Sequence, residues 1–313
     1  MIRNWLEQPV HAGLIVILIL LIVASLSVRI MQMRKPAADY RELALRIRTW
    51  WVIIALLGSA LLLPPIAGIV LFAVISYLAF KEYITLIPTR RADHRVLFLA
   101  YLAIPLQYYW VAIGWYGVFI VFIPVYVFLL LPLRMVLIGE MEGFIRAAGT
   151  LHWGLMVTVF SLSHAAYLLA LPVTGNPGAG GQGLLLYLLI LTELNDVAQY
   201  IWGKSLGRHK VLPKVSPKKT VEGLVGGIAT TILAAVILAP MLTPLRPWEA
   251  AGMGFVLGLG GFFGDVTISA VKRDLRIKDS GTILPGHGGI LDRVDSLTFT
   301  APLFFHLLYY MHY

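Results

Sequence analysis

The chain has 313 residues, of which 59% are hydrophobic and 13% charged, with a formal net charge of +9 and no cysteine. Soluble domains carry about 25% charged residues, so this composition, with a mean hydropathy of +0.82, excludes an ordinary water-soluble fold. The lack of cysteine excludes disulfides, thiolate metal sites and cysteine nucleophiles.

Ten apolar segments read as membrane spans: 10–31, 50–63, 66–87, 96–113, 116–133, 150–171, 183–202, 221–242, 248–271 and 294–312. The expected fold is therefore all-α and polytopic. The second segment is short, and Pro64-Pro65 would make it half of a hairpin with the third. Every second loop is basic: 29–48 holds six Lys/Arg, 88–95 three, 134–149 two, 203–222 six and 272–293 five. This alternation follows the positive-inside rule and predicts five cytoplasmic loops with both termini outside. The charge is thus a topology signal and, locally, an anion-binding one, and it points away from nucleic acid. The first span, Gly13–Ile30, is too long for a signal-peptide core and its cations follow it, so it reads as a retained helix. We expect a multi-pass protein of the plasma (inner) membrane, with N-terminal membrane helices over 1–135 and a catalytic membrane region over 136–313.

Residues 34–49 form a basic, partly amphipathic connector expected to lie on the cytoplasmic face. Lys81 and Glu82 in the third span are adjacent, so they cannot face each other on a helix. The lysine can snorkel to the interface; the glutamate is harder to place. Residues 140–149 read as a short interfacial helix, and 173–183 as a glycine-rich external loop with no lysine. His152 and His164 are twelve residues apart in the sixth span, too far to share a metal, and read as packing residues.

Three polar pieces stand out. The seventh span carries Glu193, Asn195 and Asp196, and carboxyl groups inside a membrane mark function. Asp196 lies about seven residues, roughly 10 Å, from the cytoplasmic end, and Asp265 in the ninth span sits at nearly the same depth. The second piece is Ser216-Pro217-Lys218-Lys219-Thr220, followed by Glu222-Gly223. Its hydroxyls, ammonium groups and the N–H groups at the start of the eighth helix form a triphosphate cradle. The third runs from Asp265 to Asp295. Lys272-Arg273 and Lys278-Asp279 supply charge at the cytoplasmic mouth, and Pro285-Gly286-His287-Gly288-Gly289 lets backbone approach a ligand. Asp292 and Asp295, three apart at the head of the last helix, project on one face, where a bound cation explains two carboxylates. Oxygen-only ligands point to Mg²⁺ or a similar hard ion.

These residues resemble the phosphatidate cytidylyltransferase (CDP-diacylglycerol synthase) family. Its signature is filled without a gap by Ser269, Lys272-Arg273, Lys278-Asp279, Pro285-Gly286-His287-Gly288-Gly289 and Asp292-Arg293-Val294-Asp295. The run at 216–223 matches as well, so the resemblance covers roughly 190–300. It implies an integral membrane enzyme, often a homodimer, that joins CTP to phosphatidic acid or a similar lipid phosphate with Mg²⁺ and releases pyrophosphate. It places the metal-binding aspartates at Asp265, Asp292 and Asp295. Lys218, Lys219, Lys272 and Arg273 are expected to bind the triphosphate, with Ser216, Lys278, Asp279 and Arg293 as further substrate contacts. Asp196 completes the metal shell, which holds one or two cations, or orients the nucleotide. His287 either assists the leaving group or serves only loop geometry. One departure is Asp196-Val197-Ala198-Gln199-Tyr200, where the family often has Asp-Thr-Gly-Ala-Tyr. The alternatives are a transporter or flippase, for which no internal symmetry is found, a CDP-alcohol phosphotransferase, whose acidic pattern is absent, and a non-catalytic relative.

Overall fold

The computed structural model describes residues 8–35, 39–87, 94–281, 283 and 288–313. Its helices are α1 (Pro9–Arg34), α2 (Arg41–Leu62), α3 (Pro65–Leu86), α4 (His94–Ala112), α5 (Tyr116–Ile138) and α6 (Phe144–Ala170). They continue with α7 (Gly180–Leu206), α8 (Val221–Leu242), α9 (Pro247–Asp274), the single turn α10 (Leu291–Val294) and α11 (Leu297–His312). Among the described residues nine helices, α1 to α9, are long and apolar enough to cross a membrane. The tenth expected span is the 16-residue α11, somewhat short of the ~20 residues a full crossing needs. Lipid offers backbone groups no partners, so an apolar chain of this kind satisfies them within helices.

Local chemistry sets several boundaries. Proline occupies the first turn of α1, α3 and α9, where its missing N–H costs nothing. At the start of α9 the Arg246 N–H donates to Glu249 Oε2 at 2.8 Å, and the same carboxylate meets His312 Nε2 at 3.1 Å, tying α9 to the end of α11. α5 passes through a π-helical stretch at Phe122–Val127, which contains Pro124; the proline ring cannot keep the regular i→i−4 ladder.

Two expectations need correcting. Residues 41–49 are not a separate connector: they are the first turns of α2, a 22-residue helix that packs against α3 across the short Leu63-Pro64 link. Likewise most of 140–149 belongs to α6, which runs unbroken from Phe144 through a π turn at Met156–Phe160. In both cases the polar residues lengthen a membrane helix instead of folding across its end.

The C-terminal half is built around α7, which packs along α8 and also against α9 and α11. Polar side chains cross-link this bundle. Asn195 is fully buried; its Nδ2 donates to Gly258 O of α9 at 3.1 Å and its Oδ1 accepts from Thr231 Oγ1 of α8 at 3.2 Å. Thr192 of α7 and Thr300 of α11 share a hydrogen bond of 2.9 Å. α3 packs on α4 and α6, and α6 on α11, which joins the two halves. His164 is fully buried, with Nδ1 2.8 Å from Phe160 O and its ring among Phe119, Phe160 and Phe305. Between α7 and α8 stands an antiparallel hairpin, β1 (Lys210–Leu212) and β2 (Ser216–Thr220), with Lys210 opposite Thr220 and Leu212 opposite Ser216.

Candidate active site

β2 is the Ser-Pro-Lys-Lys-Thr run, so the expected loop is a strand. Its last residue caps α8: Thr220 Oγ1 accepts from Gly223 N at 3.1 Å, as a threonine N-cap should. Two residues on, Glu222 accepts from the Arg208 and His209 N–H groups at 3.0 and 3.2 Å and meets His209 Nδ1 at 2.6 Å. The hairpin is thereby fastened at its base, with its lysines over the end of α7.

Under the hairpin lies a cavity of about 510 Å³. Asp196, Gln199 and Tyr200 of α7, Ser216, Lys218 and Lys219 of β2, and Asp265 of α9 line it. Four of the expected substrate residues and one expected metal ligand therefore meet in one place. Lys219 Nζ bridges the cavity floor, 2.6 Å from Asp265 Oδ2 and 3.2 Å from Gln199 Oε1. Ser269 Oγ donates to Asp265 Oδ1 at 3.1 Å, and Ser296 Oγ to Asp196 Oδ2 at 2.8 Å. Asp196 Oδ1 and Gln199 Nε2 are buried with no hydrogen-bond partner. Asp295 lies close enough to Asp265 and Asp196 to feel both charges. This approach depends on Gly264: a Cβ there would collide with the Asp295 carbonyl and come within 2.9 Å of Ser296 Cα.

Asp292 goes elsewhere. Its Oδ1 accepts from Lys272 Nζ at 2.6 Å, and its Oδ2 accepts from Ser280 N at 2.8 Å, Ser280 Oγ at 2.9 Å and Gly289 N at 3.1 Å. Burial disfavours its charged form, but the Lys272 ammonium and the Ser280 and Gly289 N–H groups outweigh this and hold its carboxyl below the usual value. The backbone stays helical through Asp295 and Ser296, so Asp292 and Asp295 are one turn apart, and Lys272 is near enough to attract both. Their other partners differ: Asp292 is bonded by Ser280 and Gly289, and Asp295 sits beside Asp265 and Asp196. Among the described residues no three His, Asp or Glu side chains are grouped tightly enough to enclose a metal as they stand. Asp265, Asp292 and Asp295 are therefore not a preassembled triad.

The remaining expected residues are spread around the mouth. Arg273 is engaged by the hairpin, its Nε donating to Val215 O at 3.1 Å. Lys278, Asp279 and Arg293 are exposed, with Arg293 near enough to Glu193 and Asp196 to attract both. His287, with Pro285 and Gly286, lies outside the described residues.

Sequence reasoning left Glu82 unassigned, and the fold gives it a place. It is 5% exposed and accepts from Ser280 Oγ, from Ile290 N at 2.9 Å and from Leu291 N at 3.2 Å. Glu82 and Asp292 thus hold Ser280 and the Gly289–Leu291 backbone, and meet at the Ser280 hydroxyl. Its only signal in sequence was a carboxylate deep in an apolar span. The neighbouring Lys81 is exposed. Lys204 and Lys210 also line the cavity; they were counted among the basic residues of the loop but not singled out.

The cytidylyltransferase family model matches residues 44–311. The chain belongs to the cytidylyltransferase family. An uncharacterised Escherichia coli (strain K12) protein, YnbB, is 48% identical over 294 residues, covering 94% of this chain and 96% of its own. A phosphatidate cytidylyltransferase of Synechocystis sp. is 45% identical over 130 residues, 40% of this chain and 44% of that protein. One from Staphylococcus aureus (strain COL) is 34% identical over 124 residues, 39% of this chain and 48% of that protein. The match to these two enzymes thus spans less than half of either. The chain is a polytopic membrane protein, and its family membership supports CTP-dependent nucleotidyl transfer.

Proposed function

We propose that the protein transfers CMP from CTP to a lipid phosphate, with phosphatidic acid as the acceptor, giving CDP-diacylglycerol and pyrophosphate. One observation carries this reading. The 510 Å³ cavity brings lysines of the hairpin and carboxylates of two membrane helices onto one wall, where a nucleotide from water can meet a phosphate from lipid. The basic loops on either side support a cytoplasmic mouth.

A phosphate oxygen of the acceptor attacks the α-phosphorus of CTP; the new P–O bond forms as the bond to the β-phosphate bridging oxygen breaks, and that electron pair leaves on pyrophosphate. The nucleophile is already an anion, so no general base is needed, and rate comes from alignment and charge compensation. Lys218, Lys219, Lys204 and Lys210 on the cavity wall bind and neutralise the triphosphate. Lys219 can reach it by leaving Asp265.

The donors also suit Mg²⁺. Asp196 Oδ1 is buried and unpartnered, and Asp265 and Asp295 are like-charged oxygen donors nearby. These three would hold the ion. When bound, it would neutralise phosphate charge and stabilise the developing leaving group. Asp292, with both oxygens bonded, instead holds Lys272 and the glycine segment in place.

The test is purified protein with labelled CTP, Mg²⁺ and a panel of lipid phosphates. Formation of a CDP-lipid with equimolar pyrophosphate is the expected result. No product with any acceptor overturns the proposal.

A further inference from the structure

A second cavity opens on the same helix. It holds about 210 Å³ between α1, α2 and α7, with Leu14, Ile54, Leu57, Gly58 and Leu189 among its apolar walls. Glu193 is the one charged residue among the described residues that line it. Along α7 it takes Leu186, Leu189, Ile190 and Glu193, while the polar cavity takes Asp196, Gln199, Tyr200 and Gly203. Five of the seven steps along this series are three residues, so the two linings follow one another along α7 while turning slowly around it. Glu193 and Asp196 are one turn apart at the junction.

Length fits as well. From Asp196 to Leu186 is ten residues, roughly 15 Å of helix. A phosphate held by Lys219 in the polar cavity would leave its hydrocarbon lying along this stretch. α1 closes the far end because Gly13 has no side chain: a Cβ there would stand 2.9 Å from Leu186 Cδ2. No hydrogen bond among the described residues engages Glu193, whose charged neighbours are Asp196 and Arg293.

Resting on the function proposed above, we infer that this cavity seats one acyl chain of the acceptor lipid while its phosphate occupies the polar cavity. α1 lies before the residues the family model matches, which begin at 44. Within this inference, α1 helps select the chain that is presented to the polar cavity.

The experiment uses the full-length protein in nanodiscs, with long-chain (dioleoyl) and short-chain (dihexanoyl) phosphatidic acid and labelled CTP. Gly58 has room ahead of it, a Cβ there lying 3.8 Å from Leu14 Cδ2, so Gly58→Phe fills the cavity. Its KM for the long-chain acceptor should rise about tenfold or more, while turnover of the short-chain acceptor stays at the wild-type level. In parallel, phosphatidic acid with a mid-chain diazirine should label peptides of α1, α2 and α7, competed by unlabelled phosphatidic acid. An unchanged long-chain KM overturns the inference. So does labelling confined to other helices, equal labelling by a phosphatidylcholine probe, or cross-links between two copies through this cavity. If Gly58→Phe loses both activities by misfolding, the wild-type labelling decides alone. If the wild type makes no CDP-lipid from either acceptor, the proposed reaction falls, and the labelling still reports whether a lipid phosphate occupies the cavity.

Discussion

Asp265 and Asp292 each hold a lysine ammonium at 2.6 Å, but the rest of their surroundings differ. Asp292 is buried and receives three more hydrogen bonds from Ser280 and Gly289. Asp265 receives one more, from Ser269, and faces an open cavity beside two further carboxylates. A fully bonded carboxylate holds structure. Like-charged, under-bonded carboxylates work against the fold on their own, so their natural complement is a ligand that brings positive charge and phosphate. The same contrast separates Glu82, bonded three times, from Asp196, with one oxygen bare.

This contrast can be broken most directly at Asp265. Asp265→Asn should lower CTP-dependent turnover about 10³-fold, as the loss of a group that stabilises transition-state charge does. Thermal stability in detergent should change little, because the lost Lys219 pair is offset by relief of the repulsion from Asp295. A variant with near-wild-type turnover would remove Asp265 from the site.

Asp292→Ala should do the reverse, costing stability first. It strands Lys272, whose side chain is 12% exposed, and breaking such a buried pair costs about 3–5 kcal/mol. Faster hydrogen exchange at Ser280 and Gly289, together with a lower melting temperature, is the expected signature. Loss of activity with these two amides still protected would make Asp292 a ligand-binding residue instead.

Glu82→Gln keeps the shape but cannot accept all three bonds equally well, which should cost roughly 1–3 kcal/mol. Its partners lie 198 to 209 residues away, so lowered protection at Ile290 and Leu291 would show that the N-terminal half supports the site.

A smaller effect concerns pH. The folded-state value of Asp292 is held below the ordinary one. Its stabilisation is therefore complete above the unfolded value of about 3.9 and is lost only as pH falls through the lower folded value. The Ser280 and Gly289 amides should keep constant protection factors from pH 7 to 5. A drop within that window would show that Asp292 is not bonded as described. Lys81→Ala should be the mildest change, with turnover within about twofold, as expected at an exposed position without a special contact.

Particular residues show how far the site could be read in sequence. Asp196, Asp265, Ser216, Lys218 and Lys219 stood out because charge and hydroxyl groups are rare in this chain, and the cavity brings them together. Asp292 was visible for the same reason, but its partners were not. Its separation of three from Asp295 is one helical turn, which the fold keeps, while Ser280 and Gly289 bond only Asp292. Glu82 could be seen but not placed. Gln199 looked like a departure from a motif until the fold set its amide against Lys219.

The amino-acid sequence by itself determined the helices, their number to within one, and the chemical character of the site. Membrane helices satisfy their backbone within a single segment, so composition and length suffice to find them. Only the tertiary structure decided which carboxylate meets which cation. That choice depends on side chains from α3, α7, α9 and the hairpin meeting at one level, and no local pattern records the distance between helices that are far apart along the chain.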